Sequence, residues 1–394
     1  MPPTTHIAGT LHFKVNRLLE RLRRWQGFTE DVVGYTGYGA SGEAGDVVRV
    51  FGRVVLVDPD VVGGAAADAS ATESELDDAQ HSRGWRNFLG TPAVFAPVSV
   101  TVGDATRTTS TDWSGYLDVE LHGHGLDPGW HRATITCANG TAIRADIRIF
   151  NPQATVGIVS DIDDTVLVTL LPRPLLAFWN TFMRSEVARE PVPGMAALGK
   201  RILLRFPNAP VVYLSTGSWS IAPVLVRFLR RHGFPAGPLL LTDWAPTNTG
   251  WFRSGQDHKR RSLERLHREF PDVEWILVGD DGQHDPLIYR AFAQRHPESV
   301  RAIAIRTLTT AEQVFSHGFP GPKEALPGPN PPVPVLYGRD GHALEVVLAD
   351  YDADRYGPTG APFGPAGAAT DDGSTSGLST PDAPTNASAG TPAS

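Results

Sequence analysis

Apolar runs alternate with helical segments after Asn151-Pro152, and this alternation constrains the fold of the chain more than any other feature. The apolar runs are "TVGIVSD", "APVVYLST", "GPLLLTD", "VEWILVGDD" and "VRAIAIR". The helical segments among them are "SIAPVLVRFLRRHG", "HKRRSLERLHREF" and "DPLIYRAFAQRH". Alternation of this kind predicts an α/β fold, a doubly wound parallel sheet with helices on both faces. The ligand of such a sheet binds at the carboxyl ends of its strands.

The segment before this region has a different pattern. Between Val47 and Phe150, short β-rich stretches are separated by turn residues. The stretches "GYLDVEL" and "TAIRADIRIF" alternate apolar and polar residues, as half-buried antiparallel strands do. This pattern predicts an antiparallel β-sandwich domain of roughly 100 residues.

The length of 394 residues indicates more than one domain, because a domain takes roughly 100 to 200 residues. We predict an N-terminal amphipathic helix and arm (1–45), the β-sandwich domain (46–152), the α/β catalytic domain (153–320) and a Pro/Gly-rich tail (321–394). Within the tail, "VPVLYGRDGHALEVVLA" is compatible with one hairpin. The stretch from Gly357 to Ser394 contains no Lys or Arg and scarcely any apolar side chains, so we expect it to be disordered.

The charge and the cysteine content argue against several classes of protein. A net charge of −8 and a pI near 5.9 disfavour nucleic-acid binding, which normally requires a basic surface. The single cysteine, Cys137, allows no intramolecular disulfide, and we expect it to be a buried apolar side chain. The sequence has no apolar run near the roughly 20 residues of a transmembrane helix, and its N-terminus lacks the apolar core of a signal peptide. These features predict a soluble, cytoplasmic protein.

The residues from His12 to Trp25 have the pattern of an amphipathic helix with a basic polar face. The apolar residues are Phe13, Val15, Leu18, Leu19, Leu22 and Trp25, and the basic ones are Lys14, Arg17, Arg21, Arg23 and Arg24. Such a helix can bind an anionic membrane surface as a peripheral contact. It can also pack on a neighbouring domain with its basic face in solvent. On sequence alone we favour the packed helix.

The stretch "GIVSDIDDTV" places carboxylates directly after a predicted buried strand. This strand ends at Asp161, the next one ends at Ser215, and a later one ends at Asp280 and Asp281. Lys259 lies at the beginning of the predicted helical segment "HKRRSLERLHREF". Because the carboxyl ends of parallel strands meet at one edge of the sheet, we expect these side chains to form a single cluster.

These side chains suit phosphoryl transfer through an aspartyl-phosphate. A carboxylate and a phosphate repel each other by roughly 4 kcal/mol per pair of unit charges at about 4 Å and an effective dielectric near 20. Mg²⁺ prefers the oxygen ligands that Asp161, Asp280 and a backbone carbonyl offer, and Lys259 adds a second positive charge. Asp163 is suited to act first as a general acid and then as a general base. Ser215 and the N–H groups of the following loop can donate to phosphoryl oxygens.

The acidic residues also have other interpretations. An EF-hand that starts at Asp161 fails, because its sixth and twelfth positions hold Val166 and Pro172 instead of glycine and glutamate. Asp281 and Asp285 are either metal ligands or caps of the following helix.

The basic and histidine residues also have alternative interpretations. Lys259 lies in a run with Arg260 and Arg261 that is also compatible with a solvated surface. His258 and His284 stay outside the predicted catalytic set, because a lone histidine is more often structural or exposed.

From about Val156 to Arg306 the chain resembles the haloacid dehalogenase superfamily of phosphohydrolases. The four matching motifs are "DIDDT", Ser215 in "VVYLST", Lys259 in "DHK" and "GDDGQHD". More narrowly, "FLRRHGFPAGPLLLTDW", "FRSGQDHK" and "VGDDGQHDPLIY" resemble the catalytic domain of the actin-patch-associated phosphatidate phosphatase family, which is related to the lipins.

The resemblance implies a HAD-like Rossmannoid fold and Mg²⁺-dependent hydrolysis of phosphatidate to diacylglycerol by way of phospho-Asp161. It assigns acid/base catalysis to Asp163 and phosphoryl binding to Ser215 and Lys259. The predicted substrate-binding residues are Thr165, Thr216 and Gly217. The candidate metal ligands are Asp161, Asp163, Asp280, Asp281 and Asp285. Asp281 replaces a serine that the family usually has, which leaves open which aspartates bind the metal.

The segment "LVTLLPRPLLAFWNTFM" is rich in Leu, Phe and Trp and lies close to the predicted site in the sequence. It is either an apolar lip that holds acyl chains or a helix buried against the neighbouring domain. Three functions are therefore compatible with the sequence: a lipid phosphomonoesterase, which we favour, a phosphatase of the same mechanism for soluble esters or phosphoproteins, and a scaffold with an idle site.

Overall fold

The computed structural model of the chain describes residues 7–42, 46–59, 90–168, 190–242, 251–282, 284–309, 312 and 331–356. In these ranges the α-helices are α1 (Ile7–Trp25), α2 (Met195–Arg205), α3 (Ala222–Arg231), α4 (Trp251–Glu269), α5 (Asp285–Arg295) and α6 (Gly341–Tyr356). The first eight strands are β1 (Thr29–Ala40), β2 (Val47–Val57), β3 (Thr91–Pro92), β4 (Pro97–Val102), β5 (Ala105–Ser110), β6 (Tyr116–His122), β7 (Gly129–Cys137) and β8 (Ala142–Phe150). The remaining strands are β9 (Val156–Ser160), β10 (Val211–Ser218), β11 (Leu239–Thr242), β12 (Glu274–Asp280), β13 (Val300–Arg306) and β14 (Val335–Gly338).

The second half of the chain forms the parallel sheet that the alternation predicts. Its strand order is β11-β10-β9-β12-β13-β14, and every neighbouring pair is parallel. All residues of β9 and β13 are buried, as expected for central strands that are covered on both faces. From β9, the strands β10 and β11 extend the sheet to one side, and β12, β13 and β14 extend it to the other. The strand order therefore reverses between β9 and β12. Ligands of open α/β sheets bind at such a reversal, beyond the carboxyl ends of the strands.

The last two elements of this half lie in residues 321–394, which we predict to be a Pro/Gly-rich tail. The stretch "VPVLYGRDGHALEVVLA" forms β14 and most of α6 instead of a hairpin. β14 pairs in parallel with β13, and Leu344 and Leu348 of α6 are fully buried. Burial of these two leucines explains why this segment is ordered. Residues 357–394, for which we predict disorder, lie outside the described residues.

The first half forms one curled sheet of mainly antiparallel strands, in the order β3-β2-β1-β8-β7-β4-β5, with β6 paired to β2. The β1–β8 pair is parallel. The sheet curls so that its two ends lie next to each other. Arg107 Nη1 of β5, at one end, donates to Glu120 O of β6, at the other, at 2.8 Å. The antiparallel character is as predicted, but the strands form one continuous sheet instead of the two sheets of a sandwich. β1, within the predicted arm (1–45), belongs to this sheet.

The two halves share an apolar interface. Tyr38 of β1 packs against Phe150 and Phe270, with ring centroids 6.2 and 5.9 Å away. The Tyr38 hydroxyl donates to Glu269 Oε2 at 2.6 Å. Arg265 Nη1 lies 3.0 Å from Asp118 Oδ2. The curled sheet is therefore fixed against helix α4, which also carries Lys259.

Cys137 is buried, as predicted, and burial raises the pKa of its thiol to about 12. None of the helices described for this chain has the length and apolarity that crossing a bilayer requires. The segment proposed as an apolar lip falls largely in residues 169–189, outside the described ranges.

Candidate active site

The reversal of strand order brings Asp161 next to Asp280. Asp161 follows the last residue of β9, and its N–H donates to Val278 O of β12 at 2.8 Å. Asp280 is the last residue of β12. Two aspartates far apart in the sequence therefore lie at the same edge of the sheet, where parallel strands place their carboxyl ends.

Three carboxylates form a buried group at this edge. Each of Asp161, Asp280 and Asp285 offers an oxygen, and these oxygens all lie within 4.8 Å of one another. The three residues are at most 2% exposed. Asp285 joins the group from the first turn of α5. We refer to Asp161, Asp280 and Asp285 as the carboxylate cluster.

Lys259 of helix α4 is the cation that contacts the cluster. Its Nζ donates to Asp161 Oδ1 at 2.6 Å and to Asp285 Oδ1 at 2.5 Å. Lys259 is 4% exposed, whereas its neighbour Arg260 is exposed. Burial lowers the pKa of Lys259, but the charges of Asp161 and Asp285 outweigh it, so the pKa lies above its ordinary value. Lys259 is therefore the inward-facing member of the basic run.

The carboxylate cluster carries more negative charge than Lys259 neutralises. Burial raises the pKa of Asp161 well above its ordinary value, and Lys259 opposes this shift. Burial also raises the pKa of Asp280, and the charge of Asp285 raises it further. When all groups are ionised, three carboxylates and one ammonium leave a formal charge of −2.

One oxygen of each carboxylate in the cluster has no hydrogen-bond partner in the part of the chain that the structure describes. The Oδ2 atoms of Asp161, Asp280 and Asp285 are buried, and none has a hydrogen-bond partner among the described residues. Buried polar atoms normally have a partner, because an unpaired one costs about 1–3 kcal/mol or more when charged. Carboxylate oxygens of three residues within 4.8 Å of one another, and the charge of −2 that full ionisation would leave, fit a divalent cation that prefers oxygen ligands.

Asp163 and Ser215 form a second polar group beside the cluster. Ser215 Oγ donates to Asp163 Oδ2 at 3.0 Å and accepts from Gly217 N at 2.9 Å. Asp163 is half-buried, in contrast to Asp161, and its charge contributes to the raised pKa of Asp161. Thr242 Oγ1 donates to the carbonyls of Thr216 and Gly217 at 2.9 and 3.1 Å, which fixes the loop after Ser215.

The remaining predicted residues lie at different positions. Thr165 is fully buried, and its Oγ1 has no hydrogen-bond partner within the part of the chain that the structure describes. Asp281 is not brought into the carboxylate cluster, because its Oδ1 accepts from Leu308 N at 2.8 Å. Asp285 contacts Lys259 in addition to beginning α5. His258 Nε2 lies 3.2 Å from Leu240 O, so its ring contacts the backbone of β11.

Two residues near the site, Asp164 and Trp219, receive no role from the sequence patterns. Asp164 has a positive φ of 58°, and Arg306 Nη1 donates to its carbonyl oxygen at 2.7 Å. The repeated aspartates in "DIDDT" signalled chemistry there, but no pattern distinguishes the buried Asp164 from its neighbours. The left-handed conformation turns the chain directly after Asp163.

Trp219, four residues after Ser215, connects the site to the curled sheet. Its ring stacks on Tyr35 at a centroid distance of 4.7 Å and lies 5.1 Å from the Phe51 ring. Trp219 is buried, and Ser218 caps the short 3-10 helix to which it belongs. The curled sheet therefore contacts the residues that follow the loop after Ser215. No local pattern predicts this contact, because β1 and β2 are far away in the sequence.

Residues 156–307 match the family model described as the catalytic domain of phosphatidate phosphatase APP1. Phosphatidate phosphatase APP1 of Saccharomyces cerevisiae is 26% identical over 164 residues, which cover 41% of this chain and 28% of that protein. An uncharacterized protein of Schizosaccharomyces pombe is 27% identical over 152 residues, or 38% of this chain and 25% of that protein. The alignment thus spans about a quarter of these relatives.

Among solved structures, a carbohydrate acetylesterase from Xanthomonas citri aligns with a TM-score of 0.25 and 8% identity, over 69% of this chain and 66% of that one. A score this low does not define a shared fold. The matched segment 156–307 contains every candidate catalytic and metal-binding residue named above. It is similar to the catalytic domain of a phosphatase, a phosphoric monoester hydrolase.

Proposed function

We propose that the chain is a Mg²⁺-dependent phosphatidate phosphatase, which hydrolyses phosphatidate to diacylglycerol and phosphate through an aspartyl-phosphate on Asp161. The observation that carries this proposal is the carboxylate cluster beside Lys259, whose three Oδ2 atoms have no hydrogen-bond partner among the described residues. The cluster lies inside the segment that matches the phosphatidate phosphatase model.

Asp161, Asp280 and Asp285 are the residues that would hold the cation. Bound there, Mg²⁺ would neutralise charge on the phosphoryl oxygens and reduce their repulsion of an attacking carboxylate. Hard oxygen ligands favour Mg²⁺ over the softer transition metals, which prefer imidazole or thiolate. Asp281 is left out of this set, because its carboxylate caps Leu308 N.

Asp161 acts as the nucleophile in this proposal. One of its carboxylate oxygens bonds to phosphorus while the phosphorus–oxygen bond to the glycerol backbone breaks. The hydrogen bond from Lys259 favours the ionised form of Asp161, whereas burial opposes it. Lys259 also supplies positive charge to the phosphoryl group during the transfer.

Asp163 moves the protons. It gives its proton to the departing alkoxide of diacylglycerol, and then accepts one from the water that attacks the phosphorus of phospho-Asp161. The second attack breaks the bond between phosphorus and Asp161 and releases phosphate. The half-buried position of Asp163 suits a group that exchanges protons with a leaving group and with water.

Ser215 and the following loop hold the phosphoryl oxygens. In the structure, the Ser215 hydroxyl is oriented by Asp163 and by Gly217 N. A phosphoryl oxygen can replace Asp163 as the acceptor of the Ser215 hydroxyl, which frees Asp163 for proton transfer. Thr242 holds the loop carbonyls away from the anionic ligand, because they accept its hydrogen bonds.

The experiment compares phosphate release from phosphatidate in mixed micelles with release from soluble phosphate monoesters, with and without Mg²⁺. The variants are Asp161→Asn and, as a matched control, Asp257→Asn, an exposed carboxylate of the same helix as Lys259. We expect Mg²⁺-dependent release from phosphatidate that falls at least 1,000-fold in Asp161→Asn and stays unchanged in Asp257→Asn. Faster phosphate release from soluble esters would overturn the assignment of a lipid substrate. Phosphatase activity in Asp161→Asn would overturn the assignment of Asp161 as the nucleophile.

A further inference from the structure

Helix α1 packs on the protein with a polar face. Asn16 and Glu20, one helical turn apart, are 6% and 8% exposed. Arg24 continues this face, and its Nη2 lies 3.1 Å from Glu20 Oε1 and 2.6 Å from Glu30 Oε1 of β1. This ion-pair network fixes the rotation of α1 about its own axis.

The opposite face of α1 is apolar and exposed. Leu18 is 68% exposed and Trp25 is 83% exposed. The exposed apolar residues are Val15, Leu18, Leu19, Leu22 and Trp25. Their spacing of three and four residues places them along one face of the helix. We call these five residues the apolar stripe. The amphipathic pattern favours a helix packed on a neighbouring domain, but in the structure the apolar stripe is exposed, whereas Asn16 and Glu20 are buried.

Basic side chains lie beside the apolar stripe. Lys14, Arg17 and Arg21 are exposed and occupy one flank of the stripe at helical spacing. The single carboxylate in α1 is Glu20, which is buried in the ion-pair network. The chain as a whole has a net charge of −8, so α1 is a local basic surface on an acidic protein. A second copy of the chain would bring these like charges together, which disfavours a dimer through this face.

We infer that α1 is a docking surface for an anionic lipid bilayer, with the apolar stripe inserted at the headgroup level and Lys14, Arg17 and Arg21 in contact with anionic headgroups. An amphipathic helix with an apolar face and flanking basic residues binds such surfaces through burial of its apolar side chains and through attraction of its basic side chains to anionic headgroups. This inference rests on the proposed function to the extent that phosphatidate, itself an anionic lipid, resides in a bilayer. The docking surface would hold the active site near the bilayer in which that substrate resides.

The test is sedimentation of the full chain with vesicles that contain no phosphatidate, so that binding is independent of catalysis. Neutral vesicles of phosphatidylcholine are compared with vesicles that contain phosphatidylglycerol in addition. The variants are Leu18→Ser with Leu22→Ser, and Lys14→Glu with Arg21→Glu. The control is Leu204→Ser with Trp130→Ser, two exposed apolar residues outside α1 (74% and 48% exposed).

We expect binding to anionic vesicles that weakens as salt increases. The leucine pair should lower the vesicle affinity at least tenfold. Removing a basic residue should lower it about fivefold per residue, and the charge-reversed pair by more. The control pair should bind like the wild type, and all variants should keep the wild-type melting temperature.

Several results would overturn the inference. One is equal binding to neutral and anionic vesicles, or binding that the leucine pair does not change. A second is a concentration-dependent dimer in sedimentation velocity that the leucine pair dissociates, which would identify a second copy as the occupant. A third is a lower melting temperature for the leucine pair, which would indicate that another segment of this chain covers the stripe.

The two proposals fail in distinguishable ways. A chain that hydrolyses phosphatidate in mixed micelles but does not bind anionic vesicles would overturn the docking surface and leave the proposed function intact. A chain that binds anionic vesicles but does not hydrolyse phosphatidate would overturn the proposed function alone.

Discussion

Lys259 Nζ lies 2.6 Å from Asp161 Oδ1, although 98 residues separate the two in the sequence. Both side chains are buried, and Asp285 and Asp280 lie beside them. A buried ion pair is costly unless its remaining charges and hydrogen bonds are compensated. The compensation here is incomplete, since three ionised carboxylates beside one ammonium would leave a formal charge of −2. We therefore expect the cluster to bind a divalent cation.

Replacing Lys259 should separate its role from that of the surrounding basic run. Lys259→Met removes the cation that contacts Asp161 and Asp285, so we expect phosphate release to fall at least 100-fold. The free energy of unfolding at pH 8 should fall by about 3 kcal/mol, because two buried carboxylates lose their partner. Phosphate assays and urea unfolding measure the two effects.

The matched control for Lys259 is Arg260→Met, one position along the same helix. Arg260 is exposed, and its ion pair with Asp257 lies on the surface. Such a pair contributes about 0–1 kcal/mol, so stability and activity should remain close to the wild type. Equal losses in the two variants would contradict the assignment of Lys259.

Asp285 and Asp281 provide a second matched pair. Asp285→Asn changes a member of the carboxylate cluster, and we expect the Mg²⁺ concentration for half-maximal activity to rise at least tenfold. Asp281→Asn should change it less than threefold, because an asparagine oxygen can still accept from Leu308 N. Mg²⁺ titrations of phosphate release distinguish the two. A larger effect at Asp281 would show that the fourth motif binds metal through the other aspartate.

The aromatic contact with Trp219 should couple the curled sheet to catalysis. Phe51 and Phe150 are both 3% exposed, but Phe51 lies against Trp219 and Phe150 against Phe270. Phe51→Leu and Phe150→Leu should each lower stability by about 1–2 kcal/mol through similar losses of packing. We expect the Phe51 variant alone to lower kcat, by about tenfold, since Trp219 directly follows the loop after Ser215 in the chain. Equal kcat values in folded protein would refute this coupling.

His258 should make the protein less stable in mild acid. Burial lowers the pKa of His258 to about 4 from its ordinary value of 6.5. Between these two values the unfolded chain binds a proton that the folded chain does not, so stability falls as the pH decreases from about 6.5 towards 4. Because the imidazole is partly exposed, we expect this group to contribute about 1–2 kcal/mol of loss between pH 7.5 and pH 5.

Urea unfolding of His258→Gln tests the pH effect. The glutamine does not titrate, so this variant should lose about 1–2 kcal/mol less than the wild type between pH 7.5 and pH 5. Other groups titrate equally in both proteins and cancel in the comparison. The same loss in both proteins would show that His258 takes up its proton in the folded state at an ordinary pH.

Part of the fold follows directly from the sequence pattern. The parallel sheet is predictable because strands such as β9 and β13 are buried on both faces and read as continuous apolar runs. The curled sheet is only partly predictable. Alternation in β6 and β8 indicates antiparallel strands, but the pairing of β1 with β8 and the approach of β5 to β6 depend on contacts distant in the sequence. A period of two does not specify which strands pair.

The candidate site follows from the sequence to a similar degree. Strand ends predict the meeting of Asp161 with Asp280, because parallel strands share one edge. Whether Asp281 or Asp285 joins them depends on the rotation of the chain after β12, which places Asp281 towards Leu308 N. Trp219 was missed, since its partners Tyr35 and Phe51 come from the other half of the chain.

The most direct test of a divalent cation among these carboxylates is anomalous diffraction from crystals grown with Mn²⁺, which takes oxygen ligands as Mg²⁺ does. We predict one anomalous peak at bonding distance, about 2.1–2.3 Å, from carboxylate oxygens of Asp161, Asp280 and Asp285, and its loss in Asp280→Asn. A peak on Asp281 alone, or no peak near Asp161 at saturating Mn²⁺, would contradict the account.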